Sequence, residues 1–282
     1  MQISAEQDKK KSDDEKDRIK NWLGFTGPIL IATHQDVDAD AAFSAALLHI
    51  LRPDAAIIFV RADSKISQPE VLAVDLLNGT SSVKGLEQGS AFGLLVEQLK
   101  HTDSCYYNSL KQWAKQLNLT DQAESCRDSV ILADLVNAWR ENRFDDRKIV
   151  ERARELLHGK LINARRQEKQ KELASKIVIK NYVAVLGPDN HIASKQLFRR
   201  GAKAVVRFSS EGMAVVLSKK ARNQGYSLIK LKDALNDGWF IHPDGFLASF
   251  GGPKAPKCVD DAGITVESLT MRTKQLFAVE VV

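Results

Sequence analysis

The stretch that decides the fold is Ile29-Leu30-Ile31-Ala32-Thr33-His34-Gln35-Asp36-Val37-Asp38-Ala39-Asp40-Ala41-Ala42-Phe43-Ser44-Ala45-Ala46-Leu47-Leu48. Four apolar residues, 29–32, form a run of strand length just after the Gly27-Pro28 turn. An acidic loop follows. Residues 41–51 are then rich in Ala and Leu and read as a helix, with Pro53 just beyond its end. Residues 55–60 and 71–77 are two further apolar runs of strand length. Strand, acidic loop, helix and strand open a βαβ unit, and strands without polar alternation predict a parallel sheet covered on both faces.

Outward from this unit the texture changes twice. Residues 90–99, the spacing of Leu110, Trp113, Ala114 and Leu117, and residues 130–139 predict three helices. Residues 144–176 are long, highly charged and basic in balance, including Arg165-Arg166-Gln167-Glu168-Lys169-Gln170-Lys171. Such a run reads as a solvated helix face or as a surface that steers polyanions. Beyond Ile177, β-branched runs at 177–186, 204–208 and 213–217 alternate with turns, with a helix predicted at 192–200. The expected fold is therefore α/β: a charged flexible tail over 1–23, a parallel-sheet domain over 24–150, a basic helical connector over 151–176, and a smaller α+β domain over 177–282.

The chain has 282 residues, 44% hydrophobic and 27% charged, a composition able to bury a core and too polar for a membrane protein. No apolar run approaches the roughly 18–20 residues of a transmembrane helix, and the first twenty residues lack the apolar core of a secretory signal. Three widely spaced cysteines, Cys105, Cys126 and Cys258, without a CxxC pair, argue against a disulfide framework and fit a reducing cytoplasm. The net charge of +5 favours polyanionic partners.

His34-x-x-x-Asp38-x-Asp40 leaves the first strand. Clustered carboxylates repel one another unless a cation neutralises them. At the carboxyl end of a parallel strand they face the crevice where open α/β sheets bind ligands. One imidazole among carboxylates suits Mn2+ or Mg2+ better than a thiolate-seeking metal. Asp75, in Val74-Asp75-Leu76, leaves a neighbouring strand at the equivalent end. Taken singly, each acid serves equally well as a helix N-cap. Taken together, His34, Asp38, Asp40 and Asp75 are expected to bind a divalent ion.

Thr33-His34-Gln35-Asp36-Val37-Asp38-Ala39-Asp40-Ala41 resembles the first motif of the DHH phosphoesterase superfamily, and Asp75 resembles its second. Within it the chain is most similar to the melanocyte-proliferating-gene (UPF0160-like) group of exonucleases. That likeness rests on Trp239-Phe240-Ile241-His242-Pro243-Asp244-Gly245-Phe246 with Gly251-Gly252-Pro253-Lys254, and on the strand pair over 203–216. The resemblance implies a first metal held by His34, Asp38 and Asp75. It implies a second metal sharing Asp75 and adding Asp40, a motif histidine and a later acid, for which Asp134 is the best candidate. The sequence departs from the pattern at the signature Asp-His-His, because residues 78–87 contain neither His nor Asp. Lys84, in that stretch, can offset charge but cannot coordinate a metal while protonated.

By the same resemblance the C-terminal domain binds substrate through His242, Gly251, Gly252 and Lys254, across a cleft from the metals. Adjacent glycines allow backbone N–H groups to approach an anion, although an ordinary Gly-Pro turn with a surface Lys has the same sequence. Two functions follow as expectations. One is a Mn2+- or Mg2+-dependent phosphoesterase cutting phosphodiester or phosphoanhydride bonds of nucleic acid or nucleotides. The other is a catalytically degenerate relative that binds nucleotide or RNA without turnover.

Overall fold

A computed structural model describes residues 2–77, 82–85, 89–122, 132–253 and 256–278, the side chains of 2–9 and 12 excepted. It divides the chain into two compact units, Met1–Arg166 and Gln167–Val282.

The first unit runs α1 (Gln2–Leu23), β1 (Leu30–His34), α2 (Ala39–Leu51), β2 (Ala56–Val60), β3 (Val71–Val74), β4 (Ser82–Val83), α3 (Ala91–Thr102), α4 (Ser104–Asp121), α5 (Leu132–Glu141) and α6 (Asp146–Ser175), the last crossing into the second unit. Its sheet is wholly parallel in the order β2-β1-β3-β4. The strands present alternate residues to two faces. Ile31, Leu72 and Val74 enter the large helical core with Phe43, Leu47 and Phe92, whereas Ala32 and Ala73 join a small cluster with Ile58 and Ile66. The chain leaves β1 towards β2 on one side and leaves β3 towards β4 on the other. The β1/β3 junction is thus the switch point at which connections diverge and open a crevice.

Two sequence expectations are corrected here. The stretch expected as a flexible tail, 1–23, is helical over Gln2–Leu23. Glu15, Ile19 and Trp22 share one face of that helix and are all buried. Trp22 Nε1 donates to the Glu70 carbonyl at 3.2 Å, and the Arg52 guanidinium binds the carbonyls of Trp22, Leu23 and Phe25 at the helix end. A stripe this short is swamped in the sequence by the surrounding charges. The basic helical connector expected over 151–176 lies within α6, and its first half belongs to the first unit rather than serving as a link. Ile149, Ala153, Leu157 and Leu161, four residues apart along α6, belong to the core of the first unit.

The second unit continues with β5 (Ile179–Lys180), β6 (Val183–Leu186), α7 (Ser194–Arg199), β7 (Ala204–Ser209), β8 (Gly212–Leu217), α8 (Lys219–Asn223), β9 (Phe240–Ile241), β10 (Leu247–Gly251) and α9 (Val266–Gln275). Its sheet has the order β5-β6-β7-β8-β10-β9 and is antiparallel except for the β6–β7 pair. The single run expected at 177–186 is broken into a hairpin because Asn181 and Tyr182 both take positive φ, 49° and 63°. No described helix is long and apolar enough to cross a membrane.

Trp22→Ala is expected to destabilise the protein by about 3–5 kcal/mol through the cavity it leaves, as measured by urea denaturation. A loss within a few tenths of a kcal/mol would mean that α1 is not part of the core.

Candidate metal centre

The parallel register pairs Leu30 with Val71 and Ala32 with Ala73. Carried on by two residues, it sets His34, the last residue of β1, abreast of Asp75, the first residue after β3. Asp75 ends the strand by taking φ 55°, a left-handed conformation that Asp tolerates better than most side chains. Its N–H donates to the Val83 carbonyl at 2.9 Å, and the Leu76 N–H donates to Ser82 Oγ at 2.8 Å, so β4 fixes the turn.

The loop after His34 is fixed with equal care. Asp146, at the start of α6, accepts from the Asp36 and Val37 N–H groups, each at 3.0 Å. Arg140 of α5 pairs with Asp36 at 3.1 Å and donates to the Val37 carbonyl. Asp36 itself is turned outward, its side chain 93% exposed. Nothing in the local sequence marks Asp146 or Arg140 as partners of a loop about a hundred residues upstream.

These supports bring together ligand atoms of His34, Asp38 and Asp75, all within 4.8 Å of one another. Donors at ~2.1 Å from an ion lie roughly 3–4.2 Å apart, so small adjustments would close the set around one cation. His34 Nε2 is 3.4 Å from Asp75 Oδ2 and 3.9 Å from Asp38 Oδ2. His34 Nδ1 is 2.8 Å from the Gln35 carbonyl. That hydrogen bond fixes one proton on Nδ1, so Nε2 is the nitrogen that offers a lone pair to a ligand once its own proton is displaced, as in histidines that bind metals. Asp38 divides its carboxylate. Oδ1 caps α2 by accepting from the Ala41 N–H at 2.9 Å, while Oδ2 faces His34. One oxygen serves the helix and the other remains for a cation, so the two sequence readings of Asp38 are compatible. The donor set fits Mn2+ or Mg2+.

The titration behaviour reflects the same crowding. The hydrogen bond to Asp75 raises His34 to about 9 despite the opposing effect of burial. Desolvation, then the charge of Asp75, pushes Asp38 upward although its side chain stays 58% exposed. Asp121, at the end of α4, is raised by desolvation and by the charges of Asp75 and Asp38, and lowered by Lys84. It is a further acid bordering the crevice, in a helix whose sequence gives no sign of it.

Asp40 does not join the group. It is buried, and its carboxylate accepts from the Ala91 and Phe92 N–H groups at 2.7 and 2.8 Å and from Ser44 Oγ at 3.3 Å. Asp40 thus caps the first turn of α3, where N–H groups lack partners within the helix. Burial, then the charge of Asp75, raises its pKa. Asp134 also stands apart, exposed in the first turn of α5, where an acid favours the helix dipole. Lys84 Nζ, by contrast, is 3.6 Å from Asp75 Oδ1.

In the second unit, His242 Nδ1 accepts from the Asp244 N–H at 3.2 Å, and the His242 ring packs 4.2 Å from that of Phe246. Gly251 has φ 70°, and a Cβ there would meet the Glu211 carbonyl oxygen at 2.6 Å. The Gly252 N–H donates to that same carbonyl at 2.8 Å. These glycines close a turn on the β7–β8 hairpin, so the Gly252 N–H expected to cradle an anion is already committed. Lys254 lies outside the described residues.

No family model matches this sequence, and no curated protein matches it. Among solved structures it is similar to RecJ of Thermus thermophilus in complex with Mg2+, at 15% identity and TM-score 0.31, covering 95% of this chain and 52% of that one. The DHH domain of a member of the s1p family of ribosomal proteins is similar at 11% identity and TM-score 0.31, with 97% and 92% covered. An exopolyphosphatase-related protein from Bacteroides fragilis is similar at 10% identity and TM-score 0.25, with 94% and 98% covered. The chain spans about half the length of the Thermus thermophilus protein. At these TM-scores the likeness is loose, and the chain's own residues carry the functional reading.

Two outcomes test the geometry. A histidine raised from 6.5 to about 9 binds its proton more tightly in the folded state. Its contribution to stability is therefore complete below pH 6.5 and lost as pH rises through about 9. NMR titration of the metal-free protein should find His34 near 9, and Asp75→Asn should move it back towards 6.5; an unchanged midpoint would refute the pairing. Asp40→Ala strands two buried helix amides and should cost about 1–3 kcal/mol in urea denaturation. A neutral substitution would show that Asp40 does not cap α3.

Proposed function

We propose that this chain is a divalent-metal-dependent phosphoesterase of the DHH type, most similar to the melanocyte-proliferating-gene group. It would act on phosphodiester or phosphoanhydride bonds of nucleic acid or nucleotides in the cytoplasm. The observation that carries this reading is the convergence of His34, Asp38 and Asp75 at the switch point, with His34 Nδ1 committed to the Gln35 carbonyl. Imidazole plus two carboxylates is the donor chemistry of Mn2+ or Mg2+. Such an ion supplies positive charge for phosphoryl oxygens and lowers the pKa of water.

The chain's own residues would do the rest. His34 presents Nε2, with its ring orientation set by Gln35. Asp38 Oδ2 and Asp75 Oδ2 provide negative charge from two separate strand ends, fixed by the α2 cap and by β4. Lys84 adds an ammonium beside Asp75 for an anionic substrate. The basic run of α6 around Arg166, Lys169 and Lys171 is exposed or half-buried and supports a polyanionic partner.

A second reading is a degenerate module that binds nucleotide or RNA without turnover. It is favoured by the absence of His and Asp from residues 78–87 and by the commitment of Asp40 to α3. Turnover of bis-p-nitrophenyl phosphate and short RNA or DNA oligonucleotides with Mn2+ separates the two. The enzyme reading expects turnover in the wild type and a drop of roughly a hundredfold or more in Asp38→Ala and Asp75→Ala, within the range for removing an electrostatic contributor. Oligonucleotide binding without turnover would leave the second reading. Turnover unaffected by either substitution would place the chemistry elsewhere.

A further inference from the structure

Besides Asp38 and the exposed Asp121, two carboxylates stand close enough to the crevice to invite a second ion, and the chain supplies both with donors of its own, an ammonium for Asp75 and two amides with a hydroxyl for Asp40. Asp75 offers Oδ2 to His34, but its Oδ1 is 3.6 Å from Lys84 Nζ. Asp40 is held by the Ala91 and Phe92 amides and the Ser44 hydroxyl. A second ion bridging from Asp75 would have to displace an ammonium and then draw Asp40 away from the start of α3, leaving buried N–H groups unpaired.

Lys84 is also positioned by more than its own charge. Its N–H donates to Glu15 Oε1 at 2.8 Å, and the Gly85 N–H donates to Glu15 Oε2 at 3.2 Å, so a buried carboxylate from α1 grips the turn that carries it. Gly85 takes φ 65°, and a Cβ there would lie 1.9 Å from the Ser90 carbonyl oxygen, which makes the turn dependent on glycine. The Lys84 side chain is 25% exposed, with its ammonium 3.6 Å from Asp75 Oδ1.

We infer that the centre takes one divalent ion, and that the Lys84 ammonium occupies the second cationic position and contacts a phosphoryl oxygen of the substrate. The count of ions stands on the geometry alone; the substrate contact rests on the phosphoesterase reading above. One divalent ion and the Lys84 ammonium would set two cations beside the Asp38 and Asp75 carboxylates, an arrangement that suits the anionic oxygens of a phosphate ester or anhydride.

Calorimetry and electron paramagnetic resonance on the full chain with Mn2+, followed by titration of inorganic phosphate into the Mn2+-loaded protein, read both parts without turnover. The expected result is one Mn2+ per chain. Lys84→Met should not weaken Mn2+ binding but should weaken phosphate at least about tenfold, the loss of one charge-assisted contact. Lys84→Arg, which keeps the charge and serves as a check on folding, should retain most of the phosphate affinity. Two Mn2+ ions per wild-type chain would overturn the inference while leaving the metal centre standing. One ion with phosphate affinity unchanged in Lys84→Met would overturn the role of Lys84. No Mn2+ at all would end both this inference and the phosphoesterase reading.

Discussion

Like charge at the strand ends is the constraint that the first unit must satisfy. Asp38, Asp40 and Asp75 collect around one switch point, and each carboxylate without a donor would raise the energy of the fold. Each has one. Asp38 takes the Ala41 amide, Asp40 takes the first amides of α3, and Asp75 lies between the His34 imidazole and the Lys84 ammonium. These donors come from α2, α3, β1 and the turn after β4. Satisfying the acids with hydrogen-bond donors therefore also fixes where those elements sit relative to one another. In the metal-free protein the hydrogen bond to Asp75 raises the His34 imidazole to about 9, and a cation bound at Nε2 would take the place of that proton.

Part of this was legible in the sequence because it depends on local order. A strand that ends in His34 and a second that ends just before Asp75 are visible as apolar runs, and parallel pairing puts their exits side by side. The sequence reads Asp38 both as a cap and as a ligand; the structure shows the cap through Oδ1 and leaves Oδ2 facing His34. Asp40, expected as a ligand, is instead found hydrogen-bonded to the start of α3. Whether a buried acid binds a metal or a helix terminus depends on which donor arrives, and here the donor is the start of α3, about fifty residues further on. Asp134 has suitable chemistry, but its place on the exposed first turn of α5 is decided by which face of that helix Leu132 and Val136 bury. The packing of the helix within residues 1–23 has little signal in the sequence: Ile19 and Trp22 are apolar residues among many charges.

The division of labour at Asp75 bears on how such a centre works. A second metal ion can leave, exchange and vary with ionic conditions, whereas an ammonium on a turn gripped by Glu15 is always present and already oriented. What is lost is Lewis acidity, since an ammonium stabilises charge without coordinating a nucleophile. What is gained is preorganisation, because no ion must be recruited and no loop reordered before an anion can bind. The loop over residues 35–38 points the same way: Asp146 and Arg140 hold it from α6 and α5. A centre built like this would have its geometry set before any cation arrives. The ion's contribution would then be confined to charge and acidity, with orientation already provided by the fold.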